Sequence, residues 1–255
     1  MSVYYQGELV TLYHGDCLNV MSEWLSEEAS PDYGQIVVTS PPYNMGLTPG
    51  GNGRGMYRPG ANNKGGRFRD GYADSHDDAM PQDEYDEWQR QCLAVMWDLI
   101  PENGAIYYNH RQRIEHGKVR LPLGFDFGIP LRQVITYDRR TGIGPSLRHY
   151  CSVAEWVLFF AKPEFKLVDH SASGGGDVWR LGMATEDYGH PAPFPVSLPY
   201  RAIETSGATS VLDPFAGVGT TLVAAQMHGI RGVGIEKSER YCEAAARRLS
   251  QGVLA

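Results

Sequence analysis

Val211-Leu212-Asp213-Pro214-Phe215-Ala216-Gly217-Val218-Gly219-Thr220-Thr221 reads as a strand, a tight glycine turn and the start of a helix. Glycines there let a backbone approach a ligand closely, beside the electropositive N-terminus of the helix. The pattern predicts a strand over Ser210 to Asp213, a helix over Thr220 to His228, a strand over Gly232 to Ile235 and a helix over Glu239 to Leu249. Glu236 ends the second strand, 19 residues after Gly217, where a carboxylate can accept both hydroxyls of an adenosine ribose. Leu222 stands where a dinucleotide fingerprint has its third glycine, which favours a nucleoside cofactor without phosphates. A turn that needs glycine only for fit is the competing reading of an isolated Gly-x-Gly. Asp213-Pro214-Phe215 before it and Glu236 after it weigh against that reading.

Outward from this unit, Ile36 to Thr39 reads as a buried strand, and Tyr85, Trp88, Cys92, Val95, Met96 and Leu99 recur at helical spacing after Pro81. Asn103-Gly104 ends that helix, and Ala105 to Asn109, Leu131 to Tyr137 and Val153 to Ala161 read as strands. Trp88 and Met96 are expected in the core. Pro163 to Pro199 is a Gly/Pro-rich connector with no assignable element. Alternating strands and helices of this length imply an α/β fold, an open and mainly parallel sheet with helices on both faces. The 255 residues fit a single domain over 1–255.

Composition narrows the class. Apolar residues make up 42% and charged residues 21%, which argues against disorder, collagen-like repeats and a membrane bundle. No apolar run approaches the ~20 residues of a spanning helix, and the first residues lack a signal-peptide pattern, so a cytoplasmic protein is expected. Cys17, Cys92, Cys151 and Cys242 form no Cys-x-x-Cys pair and the eight histidines show no metal spacing, so neither a disulfide framework nor a metal site is expected. The net charge of −7 is unevenly spread. Met45 to Gly71 holds nine glycines and five cations, Arg54, Arg58, Lys64, Arg67 and Arg69, and Met45 to Arg69 has no acid. This stretch reads as a long mobile loop. A second basic segment runs from Arg111 to Arg148 and either lines a groove or solvates a helix face.

Thr39-Ser40-Pro41-Pro42-Tyr43-Asn44 directly follows the buried strand. Its two prolines fix φ and remove two N–H donors, so the carbonyls of Ser40 and Pro41 have restricted directions and no competing local donors. Such a device suits an aromatic amine. The ring stacks on Tyr43 while the Ser40 hydroxyl and Pro41 carbonyl hold the two NH2 protons, which takes the nitrogen lone pair out of conjugation and aims it at an electrophile. A Pro-Pro turn with a packed Tyr43 is the other reading of the tetrad alone. A rigid acceptor loop and a nucleoside-binding turn, however, belong together at the carboxyl edge of one sheet.

Together these residues resemble the DNA amino methyltransferases, which use S-adenosylmethionine. In that family Ser/Asp-Pro-Pro-Tyr is the catalytic motif and Asp-Pro-Phe-x-Gly-x-Gly the cofactor motif. Here the catalytic motif comes first and the cofactor motif last, similar to the circularly permuted β group, and the resemblance covers nearly the whole chain. It implies a class I methyltransferase (Rossmann-like) fold, with Ser40, Pro41, Pro42 and Tyr43 acting on the target base. It also implies that Asp213, Phe215, Gly217, Gly219, Thr220, Thr221 and Glu236 hold the cofactor. Gly15-Asp16-Cys17 is similar to the segment that contacts the cofactor adenine, so Asp16 would accept from its amino group with Cys17 beside it. His190-Pro191-Ala192-Pro193-Phe194-Pro195 is similar to the segment that leads into the cofactor turn, which brings in His190 and Phe194. Arg148 to Lys162, with Glu155, resembles the strand beside the target-base pocket. No Pro-Cys dipeptide exists here, unlike in carbon-5 cytosine methyltransferases, and the Pro-Cys-x-x-Cys pair of zinc deaminases is likewise absent.

By the same resemblance Ser40 favours the 4-amino group of cytosine, with the 6-amino group of adenine as the alternative, since the Ser form followed by Asn also occurs in adenine enzymes. Either base must leave the duplex. Asn44 and the glycine-rich loop over 45–80, with its five cations, are expected to clasp double-stranded DNA, and the connector 163–190 is the other expected recognition element. So little material suits a short recognition sequence or recognition aided by a partner. A homodimer and a companion restriction endonuclease stay open, and no membrane partner is expected. RNA or a protein glutamine amide as substrate, and a catalytically inactive DNA-binding protein, remain as rival readings.

Overall fold

The computed structural model describes residues 2–26, 33–44, 79–115, 117–122, 124–142, 147–184 and 194–252. In chain order the elements are β1 (Ser2–Gln6), β2 (Val10–His14), α1 (Cys17–Ser26), β3 (Ile36–Thr39), α2 (Gln82–Leu99), β4 (Ala105–His110), β5 (Arg113–Glu115), β6 (Lys118–Arg120), β7 (Leu131–Asp138), β8 (Ala154–Ala161), α3 (His170–Gly174), β9 (Val178–Arg180), α4 (Ser197–Ser206), β10 (Ser210–Asp213), α5 (Thr220–His228), β11 (Arg231–Glu236) and α6 (Glu239–Ser250). Nine strands form one sheet in the order β1-β2-β11-β10-β3-β4-β8-β7-β9, and β5 pairs with β6 in a separate ribbon. The stretch from β2 to β4 is parallel throughout. β1 and β8 run antiparallel to their inner neighbours, β7 runs antiparallel to β8, and β9 is parallel to β7. The sheet is thus mostly parallel but mixed.

The central strands read as continuous apolar runs because both faces are covered. Ile36 and Val38 of β3, with Ala105 and Tyr107 of β4, pack beneath α4, α5 and α6 through Ala202, Leu222 and Ala245. The alternate residues Val37, Ile106 and Tyr108 meet α1 and α2 through Met21, Trp24, Leu93 and Met96. Each Val, Ile, Leu or Met side chain among them contributes about 1.5–3 kcal/mol when fully buried. Leu222 explains the absent third glycine. A Cβ on Gly234 would come within 2.9 Å of Leu222 Cδ1, and one on Gly232 within 2.9 Å of Ala225 Cβ. The close helix-to-strand approach that the third glycine of a dinucleotide turn allows is provided here from β11.

The structure departs from the sequence expectations in three places. The connector after Pro163 holds α3, β9 and the start of α4, and Trp179 of β9 is buried at the sheet edge. The second basic segment contributes the β5–β6 ribbon and β7 rather than a helix face, and it buries Arg113 and Arg139. Trp88 is only half-buried, whereas Met96 is fully buried as expected. Among the described residues no helix is long and apolar enough to cross a membrane.

Candidate active site

β3 and β10 are neighbours in the parallel sheet, so the Thr39–Asn44 loop and the Asp213–Gly219 turn leave the same edge side by side. Asp213 joins them. Its Oδ1 accepts from Thr39 Oγ1 at 2.6 Å and from the Phe215 amide at 3.1 Å, and its Oδ2 accepts from Thr221 Oγ1 at 2.7 Å. With 1% exposure, burial pushes its carboxyl up to about 6 against the pull of these donors. Asp213 therefore ties β3, the turn and α5 together instead of facing a ligand. Thr220 and Thr221 are similar. Thr221 is buried, and Thr220 Oγ1 accepts from Arg248 at 3.1 Å, so these two sit at the turn with their hydroxyls turned into the protein.

Gly217 (φ 51°) and Gly219 (φ 77°) occupy the left-handed region, where a side chain costs roughly 1–2 kcal/mol. A Cβ on Gly219 would also sit 3.2 Å from Ala245 Cβ. Glu236, half-buried, accepts from the Gly217 amide at 2.8 Å and the Ser238 amide at 2.7 Å. Burial raises its carboxyl to about 7. The Gly15 amide donates to the Glu236 carbonyl at 3.0 Å, which brings Asp16 alongside. Asp16 Oδ1 accepts from the Asn19 amide at the start of α1, and its Oδ2 pairs with Lys237 Nζ at 3.1 Å. Cys17 is buried in the α1 core, Phe194 is half-buried beside α4, and Phe215 meets Trp88 edge-on at 5.5 Å. A glycine cradle flanked by two carboxylates on adjacent strands fits a nucleoside: the carboxylates accept from hydroxyls and an amino group, and the bare backbone admits close approach.

The loop after β3 is held from outside. The hydroxyls of Ser40 and Tyr43 lie 2.7 Å apart, and Asn109 Nδ2, at the end of β4, donates to Tyr43 Oη at 2.8 Å and to Glu155 Oε2 at 3.0 Å. Glu155, from β8, pairs with Arg139 at 3.1 Å. The backbone is gripped as well. Tyr85 of α2 donates to the Pro42 carbonyl at 2.5 Å, and Arg113 of β5 donates to the carbonyls of Tyr43, at 2.8 Å, and Asn44. Asn44 sits at φ 54° and donates from Nδ2 to the Met80 carbonyl. Burial lowers His110 to about 4, so its ring is neutral. Its Nδ1 meets the Arg111 amide at 2.8 Å and the Arg111 carbonyl at 3.1 Å, and its Nε2 lies 3.0 Å from Tyr85 Oη.

The outcome is asymmetric. The carbonyls of Pro42, Tyr43 and Asn44 are occupied, whereas those of Ser40 and Pro41 accept from no described residue. Tyr43 itself is 4% exposed, with the His110 ring 5.1 Å away. Sequence reasoning missed Tyr85, Asn109, Arg113 and Arg139. A polar Asn closing a buried strand was the available signal for Asn109. His190, Arg54, Arg58, Lys64, Arg67 and Arg69 lie outside the described residues.

Comparison with known proteins agrees with this geometry. The family model for DNA methylases of the N6/N4 amino type matches residues 35–247. The Type II methyltransferase M.BglII of Bacillus subtilis is 24% identical over 280 residues, covering 94% of this chain and 68% of that protein. The cytosine-N4-specific PvuII DNA methyltransferase superposes with a TM-score of 0.70 at 17% identity, over 96% of this chain and 88% of that one. The M1.HpyAVI–SAM complex gives 0.64 at 17% identity, over 94% and 99%. The two structures share the class I fold. With more than half of its length matched by the family model, the chain belongs to the N6/N4 DNA methylase family.

Proposed function

We propose that this protein transfers a methyl group from S-adenosylmethionine to the exocyclic amine of a base flipped out of double-stranded DNA, N4 of cytosine ahead of N6 of adenine. The observation that carries this reading is the Pro41 carbonyl, which accepts from no described residue, beside the Ser40 hydroxyl that meets Tyr43 Oη at 2.7 Å, at the same sheet edge as the glycine turn. When bound, the cofactor supplies an electrophilic methyl group on a sulfonium. Gly217 and Gly219 admit its backbone-side approach, Glu236 accepts from its ribose hydroxyls and Asp16 from its adenine amino group. The Ser40 hydroxyl and Pro41 carbonyl hold the two protons of the target amine, Tyr43 stacks on its ring, and the freed lone pair forms the new N–CH3 bond as the methyl's bond to sulfur breaks, its electron pair staying on sulfur as a neutral thioether. The proton shed by the methylated nitrogen leaves through the same acceptors to water. Flipping costs a few kcal/mol, partly offset by stacking. The choice of cytosine rests on Ser40 and its resemblance to cytosine-N4 enzymes.

Mass spectrometry of nucleosides from cells expressing the protein, beside a Ser40→Ala control, tests this reading. It predicts 4-methylcytosine that disappears in the control. N6-methyladenine instead would keep the mechanism and reverse the base. Unmodified DNA from folded, cofactor-binding protein would overturn the DNA reading in favour of an RNA or protein-amide substrate.

A further inference from the structure

A cleft of about 320 Å³ lies between α2 and the β5–β6 ribbon, and two of its walls, Tyr85 and Arg113, are the braces of the Ser40–Asn44 loop. Among the described residues three guanidiniums line it, those of Arg111, Arg113 and Arg120, against one carboxylate, Asp86. Arg113 is engaged with loop carbonyls and with Gln82. Arg111 differs. Among the described residues only its backbone is hydrogen-bonded, to His110, and its Nε is buried without an acceptor. A buried guanidinium nitrogen left unmet is costly, and its planar fork matches a phosphate. Arg111 is also two residues from Asn109, which holds the Tyr43 hydroxyl, and next to His110, which faces Tyr85. Lys118 and Arg120 are exposed on the ribbon above.

We infer that this cleft receives a backbone phosphodiester of the DNA strand carrying the target base, with Arg111 as its anchor. The inference rests on the DNA reading above and adds to it a place where strand capture touches the braces of the catalytic loop. A phosphate drawn onto Arg111 pulls on the segment that orients Asn109 and His110, so the strand is gripped beside the pocket that its base enters.

The test is duplex DNA binding by the full chain with the demethylated cofactor present, measured by fluorescence anisotropy across a salt series. Arg111→Gln is expected to weaken binding about tenfold and to reduce the slope of log affinity against log salt by about 0.9, the loss of one phosphate contact. Arg111→Lys, which keeps the charge, should restore the slope while recovering only part of the affinity. Val119→Glu puts a carboxylate at an exposed position on the cleft wall and disturbs no buried group, so it keeps the test valid if Arg111→Gln fails to fold. It should weaken binding at least tenfold. An unchanged slope in folded Arg111→Gln, or unchanged affinity in Val119→Glu, overturns the anchor. Absence of DNA binding by the unsubstituted protein overturns the DNA reading itself, a separate and distinguishable failure.

Discussion

The glycine turn after β10 and the proline loop after β3 leave the same sheet edge but are stabilised in opposite ways. The turn is supported mainly by its own neighbourhood, with one distant tie: Asp213 accepts from Phe215 and Thr221, two and eight residues on, and from Thr39, 174 residues away, and Glu236 accepts from Gly217 and Ser238. The loop borrows its support from afar. Asn109 lies 66 residues from Tyr43, Arg113 lies 70 and Glu155 lies 112. A self-supporting turn can serve as a foundation, because its shape depends on few other elements. An externally braced loop can be tuned, because each brace can alter its geometry without unfolding the sheet. Damage to the turn should therefore show first in stability or cofactor binding, and damage to the braces first in turnover.

The largest expected effect is at Asp213. Asp213→Ala leaves the hydroxyls of Thr39 and Thr221 and the Phe215 amide facing a buried gap, a loss of about 3 kcal/mol and of about 10 °C in melting temperature. Denaturant and thermal unfolding without cofactor measure this. Stability kept while cofactor binding is lost would show a carboxylate facing the ligand and would break the comparison.

The same contrast decides what could be read from the sequence. Strand Ser210–Asp213 and helix Thr220–His228 match the expected spans, because glycine positions, apolar alternation and the Glu236 spacing are all local signals. Asp213 was legible as a residue but not as a tie, since its partner Thr39 lies 174 residues away. The braces Tyr85, Arg113 and Arg139 were illegible for the same reason. Two of these three are arginines within a basic segment that composition leaves between lining a groove and solvating a helix face, and only the fold shows that they are buried.

Asn109→Ala sharpens the other side. It removes the donor to Tyr43 Oη and Glu155 and should lower turnover about 100-fold, the scale of a 1 Å misplacement. The expected loss of stability is only about 1 kcal/mol, and cofactor affinity should be unchanged. Single-turnover methylation beside cofactor titration reads both. A stability loss equal to that of Asp213→Ala would mean that the two regions are one structural unit. A smaller effect is expected from Glu236→Gln, with cofactor Kd raised about tenfold, near 1.4 kcal/mol, and turnover at saturating cofactor nearly preserved. A fall in saturated turnover matching the loss of affinity would place Glu236 in the chemical step and remove the division of labour.

The finest distinction lies in pH. Burial raises Glu236 from the ordinary 4.5 to about 7 and Asp213 from 3.8 to about 6. Between the unfolded and folded values the native state binds more protons than the unfolded chain. The stability from these two groups is therefore complete below about pH 4 and is lost as pH rises, through about 6 for Asp213 and about 7 for Glu236. Cofactor binding should move the other way over the upper part of this window, because ribose hydroxyls donate best to an ionised carboxylate. Affinity should then rise several-fold from pH 6 to 8, with release of a fraction of a proton near pH 7, detectable by calorimetry in buffers of different ionisation enthalpy. Glu236→Gln should flatten the affinity profile but leave the Asp213 portion of the stability slope, since that carboxyl is sealed beneath the turn. A flat profile in the unsubstituted protein would mean that Glu236 only braces Gly217 and Ser238, which would make the turn wholly structural and move ribose recognition elsewhere on the sheet edge.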